Sequence, residues 1–264
     1  MKKWFLLCGV CLLLSACHTA PTVTTPPTTQ PSTTVETTVE TTAETTQAPT
    51  VPREFGYDGD YRTCLTEETL LGIDVSSFQK EIDWAQVKEA GIEFVMIRVG
   101  FRGYGEKGGL VEDKYAQANY QGAKEAGLKV GGYFFSQATT PAEAVEEADF
   151  VKQLTADWEP DLPFGFDWEC HTEEYRTANV DARTLTDCTK AFCEAMGGNV
   201  ILYANPSQSP KEMLWDEVAQ YGLWLGDYAE SPENPEKLTM WQYTNEGKVS
   251  GIQGNVDINL YFPQ

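Results

Sequence analysis

The sequence predicts an α/β fold: a single irregular (β/α) barrel of TIM-barrel-like type, preceded by a disordered N-terminal tether. Three observations carry this. From about Leu70 onward strand-like runs alternate with helical ones, eight strands can be counted, and the helical signals fade in the last third. Strand-helix-strand repetition argues for a parallel sheet with helices outside. Eight strands with weak late helices favour a compact irregular barrel over an open doubly wound sheet. The chain has 264 residues. Setting aside a signal and a tether leaves about 200, enough for one large domain and tight for two.

The N-terminus reads Met1-Lys2-Lys3, then an apolar run from Trp4 to Leu14, then Ser15-Ala16-Cys17. Two positive charges, a short apolar core and small residues form a secretory signal over residues 1–16, too short to span a bilayer stably. Leu14-Ser15-Ala16-Cys17 also resembles the bacterial lipobox, which makes Cys17 the expected lipidation site and the membrane a partner through that lipid. The expected location is the outer face of the bacterial membrane, towards the wall, or free secretion if Cys17 is incidental. Residues 17–52 are almost only Thr, Pro, Ser, Val, Ala and Glu, without an aromatic residue or a periodicity that could bury a face. This composition predicts an extended, disordered stalk with a reach of about 100 Å.

Residues 53–69 read as a lead-in to the barrel of residues 70–264. Leu70 to Ser77 is the first strand, and Asp83 to Ala90 a short helix closed by Gly91. Phe94 to Gly100 is the second strand, Lys114 to Ala126 a helix stopped by Gly127, and Lys129 to Ser136 the third strand. Pro141 opens a helix with Val145, Ala148, Val151 and Leu154 on one side. Pro163 to Glu169 is the fourth strand, followed by a helix with Leu185, Cys188, Phe192 and Ala195 on one face. Strands at Asn199–Asn205, Gly222–Tyr228, Leu238–Thr244 and Val256–Tyr261 complete the set.

Composition excludes several chemistries. Formal charge is -21, from 40 acidic and 19 basic residues, and removal of residues 1–16 strips two lysines to leave -23. That sign is opposite to what a phosphate-tracking nucleic-acid binder needs. With only His18 and His171, a zinc site built on two histidines is nearly excluded. No metal and no cofactor are expected, a monomer is, and carboxylates are the expected proton carriers. Cys64, Cys170, Cys188 and Cys193 remain in the exported chain, with three pairings or none open to them.

On the fourth strand, alternation puts Phe164, Phe166 and Trp168 under the helices and Gly165, Asp167 and Glu169 towards the barrel mouth. Two acids buried without a basic partner in the segment predict that one is driven towards its protonated form. A glycosidase needs such a pair: a protonated acid for the leaving oxygen and an ionised partner for positive charge at the sugar carbon. The alternative is an acidic strand end facing water. Gly72, Asp74 and Ser76 share a face on the first strand, Met96, Arg98 and Gly100 on the second, and Gly131, Tyr133 and Phe135 on the third. Tyr203, Trp224, Gln242 and Asp257 come from the later strands. Arg98 is read either as a groove residue or as the counter-ion of Asp74, and His171 as the start of an exposed loop. Gly103 to Gly108 fits a G-x-G-x-x-G pattern, but Glu106 would repel a pyrophosphate, so it reads as a mobile rim loop.

Taken together, Gly72-Ile-Asp-Val-Ser-Ser-Phe-Gln79, Phe94-Val-Met-Ile-Arg-Val-Gly100, Val130-Gly-Gly-Tyr-Phe-Phe135, Phe166-Asp-Trp-Glu169 and Trp241-Gln-Tyr-Thr244 leading to Gly254-Asn-Val-Asp257 resemble glycoside hydrolase family 25. These are bacterial and phage lysozymes on a shortened, irregular β/α barrel. The resemblance covers roughly residues 70–264. It implies cleavage of the β-1,4 bond between N-acetylmuramic acid and N-acetylglucosamine in peptidoglycan glycan strands. It implies Glu169 as general acid, Asp167 as the carboxylate that meets developing charge or orients the acetamido group, and Asp74 and Asp257 as further acids of the site. Arg98, Tyr133, Tyr203, Trp224, Gln242 and Asp257 are the expected substrate contacts. Where the family often has a Tyr-His-Phe run, this chain has Tyr133-Phe134-Phe135. Two other readings stand beside it: a chitinase-like family 18 hydrolase, and a non-catalytic lipoprotein that binds wall glycan.

Overall fold

The computed structural model describes residues 52–170, 174–205, 213–232 and 234–263. The signal segment, Cys17, the tether and His171 lie outside the described residues. In chain order the strands are β1 (Phe55–Asp58), β2 (Tyr61–Cys64), β3 (Leu70–Val75), β4 (Phe94–Arg102), β5 (Leu110–Glu112), β6 (Lys129–Ser136), β7 (Phe164–Trp168), β8 (Val200–Ala204), β9 (Gly222–Gly226), β10 (Leu238–Gly247) and β11 (Val256–Tyr261). The helices are α1 (Trp84–Glu89), α2 (Ala116–Glu125), α3 (Pro141–Leu154) and α4 (Ala182–Ala195).

Local chemistry sets the helix ends. Asp83, Thr140 and Asp181 each accept a backbone N–H three residues on, from Gln86, Glu143 and Thr184. Pro141 occupies the first turn of α3, where its missing N–H is not needed. Gly91 and Gly127 follow α1 and α2 at φ +89 and +75, a conformation in which a side chain is strained. On α3 the buried face is Ala144, Glu147, Ala148 and Val151, offset from the expected one: Val145 is exposed, and Glu147 is buried in an ion pair with Arg102.

Eight strands close into a ring in the order β3, β4, β6, β7, β8, β9, β10, β11 and back to β3, while β5 pairs only with the end of β4. Seven of the eight run parallel. The last, β11, runs antiparallel to both β10 and β3, which corrects the expectation of an all-parallel sheet. No helix separates β10 from β11, and without a crossover the chain turns back as a hairpin. Because β11 is reversed, its N-terminal end lies at the same mouth as the C-terminal ends of the others.

The ring has a filled interior and a two-part coat. Phe94, Met96, Tyr133, Ile201, Tyr203, Trp224 and Met240 pack inside, as expected of a barrel of this strand number. Gly72 and Gly165 admit the largest of these: a Cβ at Gly72 would come within 2.3 Å of the Phe94 ring, and at Gly165 within 2.9 Å of Tyr133 and 3.1 Å of Trp224. Outside, α3 and α4 cover β6 to β8 through Phe134, Phe166 and Phe192. Among the described residues no α-helix follows β9 or β10 to cover the β10–β11 side. Its outward residues Trp241, Tyr243 and Phe262 are covered instead by the β1–β2 hairpin, with Phe55 edge-on to Trp241 at 4.8 Å and the Arg53 guanidinium 3.8 Å from the Phe262 ring centroid. Residues 53–69 are thus part of the folded body. Cys64, Cys170, Cys188 and Cys193 are all buried, and no disulfide joins them among the described residues.

Candidate active site

At the mouth, side chains from every ring strand converge. Asp74, Arg98, Tyr133, Asp167, Glu169, Tyr203, Trp224, Gln242 and Asp257 all line one cleft of about 520 Å³. Register explains the grouping. Phe135, Asp167 and Tyr203 are neighbours across β6, β7 and β8, and Asp257 lies opposite Asp74 across the β3–β11 pair. The pleat places Phe166 and Trp168 on the helix side and Asp167 and Glu169 in the cleft.

Two placements differ from the sequence reading. The β4–β6 register shifts between Arg98 and Gly100, a bulge that reverses the alternation. Gly100 therefore faces the helices, against Phe134 and Phe150, and Phe101 takes its place in the cleft. Arg98 is not the counter-ion of Asp74. Its Nε and Nη2 donate to Asp113 Oδ2 at 2.9 and 2.8 Å, and Nη2 also donates to Ser77 Oγ at 3.1 Å. Its guanidinium lies over both the Phe78 and the Phe101 ring, 5.2 and 5.3 Å from their centroids. Asp113 also accepts the backbone N–H groups of Ser77 and Tyr115, so one buried carboxylate fixes the β3 exit, Arg98 and the start of α2.

Among the described residues, four carboxyl groups share the cleft with one cation already engaged by Asp113. Asp74 Oδ2 accepts from Gln242 Nε2 at 2.9 Å and from Asn259 Nδ2 at 2.8 Å, and Asp74 is hydrogen-bonded to Asp257 as well. Burial, then the charge of Asp74, pushes Asp257 up to about 9, which favours its protonated form in the hydrogen bond to Asp74. Burial raises Asp74 too, against the pull of these hydrogen bonds. Asp167 is held well above the usual carboxylate range, first by burial and then by the charges of Glu169 and Asp74, with Arg98 opposing. Its Oδ1 is buried and meets no hydrogen-bond donor among the described residues. Burial therefore drives Asp167 towards neutrality.

Several candidates act through others. Gln242 accepts from the Tyr203 and Tyr228 hydroxyls at 2.9 and 3.0 Å, which turns its amide nitrogen towards Asp74. Trp224 is 1% exposed, and its Nε1 donates to Asn259 Oδ1 at 2.8 Å, placing it in the floor. Sequence reasoning missed Asn259, Asp113, Gln137, Tyr104, Tyr175 and Tyr228. Asn259 was within reach, since it shares the inward face of β11 with Asp257. Gln137, just past β6, donates to the Glu169 backbone carbonyl at 2.6 Å and to Ser136 O at 3.0 Å, and accepts from Thr177 Oγ1 at 3.1 Å. No local pattern announces that role.

A closed β/α barrel whose mouth gathers two acids from one strand end and two more from its seam can supply the paired carboxyl groups that glycoside cleavage uses. The sequence pattern of glycosyl hydrolases family 25 matches residues 73–252, and the chain belongs to that family. Among curated relatives, Lysozyme M1 of Streptomyces globisporus is 28% identical over 80% of this chain and 74% of its own length. The autolytic lysozyme of Clostridium acetobutylicum is 27% identical over 73% of this chain and 56% of its own. Among solved structures, the bacterial lysozyme of Streptomyces coelicolor is 25% identical, with a TM-score of 0.58, over 74% of this chain and 92% of that one. The modular autolysin LytC of Streptococcus pneumoniae shares the fold, with a TM-score of 0.66 and 23% identity, and this chain spans 52% of it. The protein is a glycoside hydrolase.

Proposed function

We propose that this glycoside hydrolase is a muramidase, cutting the β-1,4 bond between N-acetylmuramic acid and N-acetylglucosamine in peptidoglycan. The observation that carries the reading is the pair Asp167 and Glu169, delivered from one strand end into a cleft that already holds Asp74 and Asp257. The lysozyme names of the relatives support the substrate. Glu169 gives a proton to the leaving oxygen, and Asp167 meets the positive charge that develops at the sugar carbon. Burial and neighbouring acids make the Asp167 anion unfavourable in the empty cleft. A cationic ring carbon relieves that penalty, so the interaction is stronger in the transition state than before it. The unpartnered Asp167 Oδ1 is also suited to accept the acetamido N–H, which aligns the substrate's own carbonyl as nucleophile. Water, giving its proton to the Glu169 carboxylate left by the first step, then breaks the bond formed by the acetamido oxygen, so configuration at the sugar carbon is retained without a glycosyl-enzyme bond.

The Leu14 to Cys17 motif supports export and anchoring by a lipid on Cys17, with residues 17–52 as the spacer between membrane and barrel. Mass spectrometry of fragments released from purified walls tests the bond cut: muramic acid at the new reducing ends is expected, and glucosamine ends would overturn it. Glu169→Gln should lower lysis by about a thousandfold while wall binding persists. Lysis at the parental rate would remove the assignment of Glu169, and a glycosyl adduct trapped on Asp167 would overturn the mechanism.

A further inference from the structure

The loop from Gly103 to Gly109 joins β4 to β5 at the rim of the cleft, and two arginines lash it from beneath. Arg102 is 4% exposed. It donates from Nη1 to Gly108 O at 2.8 Å, from Nη2 to Glu143 O at 2.9 Å and from Nε to Glu147 Oε1 at 2.7 Å. Arg176 donates to the two carboxylate oxygens of Glu143 at 2.6 and 3.1 Å and to Gln137 O at 3.0 Å. The backbone N–H of Arg176 donates to Tyr104 O at 3.0 Å. Its guanidinium lies over Gly108, where φ is +48 and a Cβ would come within 2.5 Å of Nη1. Ties to both arginines and, through them, to the first turns of α3 set the loop before any ligand arrives.

What the loop presents is Tyr104, with 54% of its surface exposed. Its ring is parallel to that of Tyr175, with centroids 4.8 Å apart and planes within 8°. Both rings line the cleft, and the Tyr175 hydroxyl feels the charge of Glu169. Each ring covers one face of the other, and Tyr104, the more exposed of the two, offers an aromatic surface beside the acids. The carboxyl groups of the same cleft disfavour an anionic ligand, whereas the C–H face of a pyranose ring is neutral and suits the electron-rich face of an aromatic ring.

We propose that Tyr104 and Tyr175 form a stacking subsite for a neutral hexosamine ring of the glycan strand, next to the acid pair, and that strand length is sensed through it. This rests on the reading of the protein as a peptidoglycan hydrolase and names a specificity determinant within it. The test measures KM and kcat on un-crosslinked glycan strands of about eight sugars and on tetrasaccharides. Tyr104→Ala is expected to raise KM on the long strands about tenfold, with the loss in KM rather than kcat and a smaller loss on tetrasaccharides. Tyr104→Phe, which keeps the ring face, restores most of the affinity. Gly108→Ala displaces the Arg176 clamp without touching the cleft and raises KM in the same direction. An unchanged KM on long strands for Tyr104→Ala overturns the subsite while leaving the hydrolase reading intact. If the parental chain cuts no glycan, the hydrolase reading fails. Calorimetric binding of the same long strands then decides the subsite, with weaker binding by Tyr104→Ala supporting it and equal or absent binding overturning it.

Discussion

Asp257 illustrates how one side chain couples the site to stability. Its carboxyl is pushed up to about 9, chiefly by burial and then by Asp74, whereas in an unfolded chain it ionises near pH ~4. Between those values the folded state holds a proton that the unfolded state lacks. Its contribution to stability is therefore fully present below the unfolded value and is lost as pH rises towards 9. Asp257→Asn keeps a donor for Asp74 but cannot ionise, so its Tm advantage over the parent should be absent near pH 4 and grow steadily as pH rises to 8. A gap that does not grow with pH would contradict this account. Asp113 makes the second prediction at this scale. Asp113→Ala leaves Arg98 without its buried partner and should cost about 3 kcal/mol in urea denaturation; a loss below about 1 kcal/mol would show that Arg98 finds another. The strand-end acids and aromatics were legible in the sequence because alternation fixes a face. Asp113 was not, because its importance comes from three segments meeting around it, and nothing local records that.

At the scale of elements, periodicity located all eight ring strands and the four helices to within a few residues. It could not give the direction of β11, which depends on a hairpin instead of a crossover, nor the bulge that exchanges Gly100 for Phe101. The β1–β2 hairpin was also illegible, since four-residue strands carry little pattern; the positive φ of Gly59 that suits its two-residue turn is visible only in the fold. Yet the hairpin does what a helix would do elsewhere, covering Trp241, Tyr243 and Phe262. A chain trimmed to residues 70–264, the span that the strand pattern marks, should lose about 5–10 °C in Tm and expose tryptophan to quenchers. Phe55→Ala alone should cost about 2 kcal/mol, read by chemical denaturation. An unaltered Tm in the trimmed chain would show that the outer wall of β10 and β11 tolerates water.

For the whole molecule, the acidic balance of 40 against 19 is a physical difficulty, because bacterial walls are themselves largely anionic. Local concentration supplied by an N-terminal anchor and spacer would offset that repulsion without a cationic face. Deleting residues 1–52 should then weaken lysis of intact cells, most at low salt where screening is least, and leave cleavage of short soluble glycans unaffected. Equal lysis by the trimmed and full chains would refute the idea. The reversed β11 bears on a different moment in the life of the molecule. Asp74 sits on the first strand of the ring, while Asp257 and Asn259, which complete its surroundings, sit on the last. A chain emerging N-terminus first holds one half of this cluster long before the other exists. A chain without β11 is open at the seam and leaves Asp74 without Asp257 and Asn259 beside it.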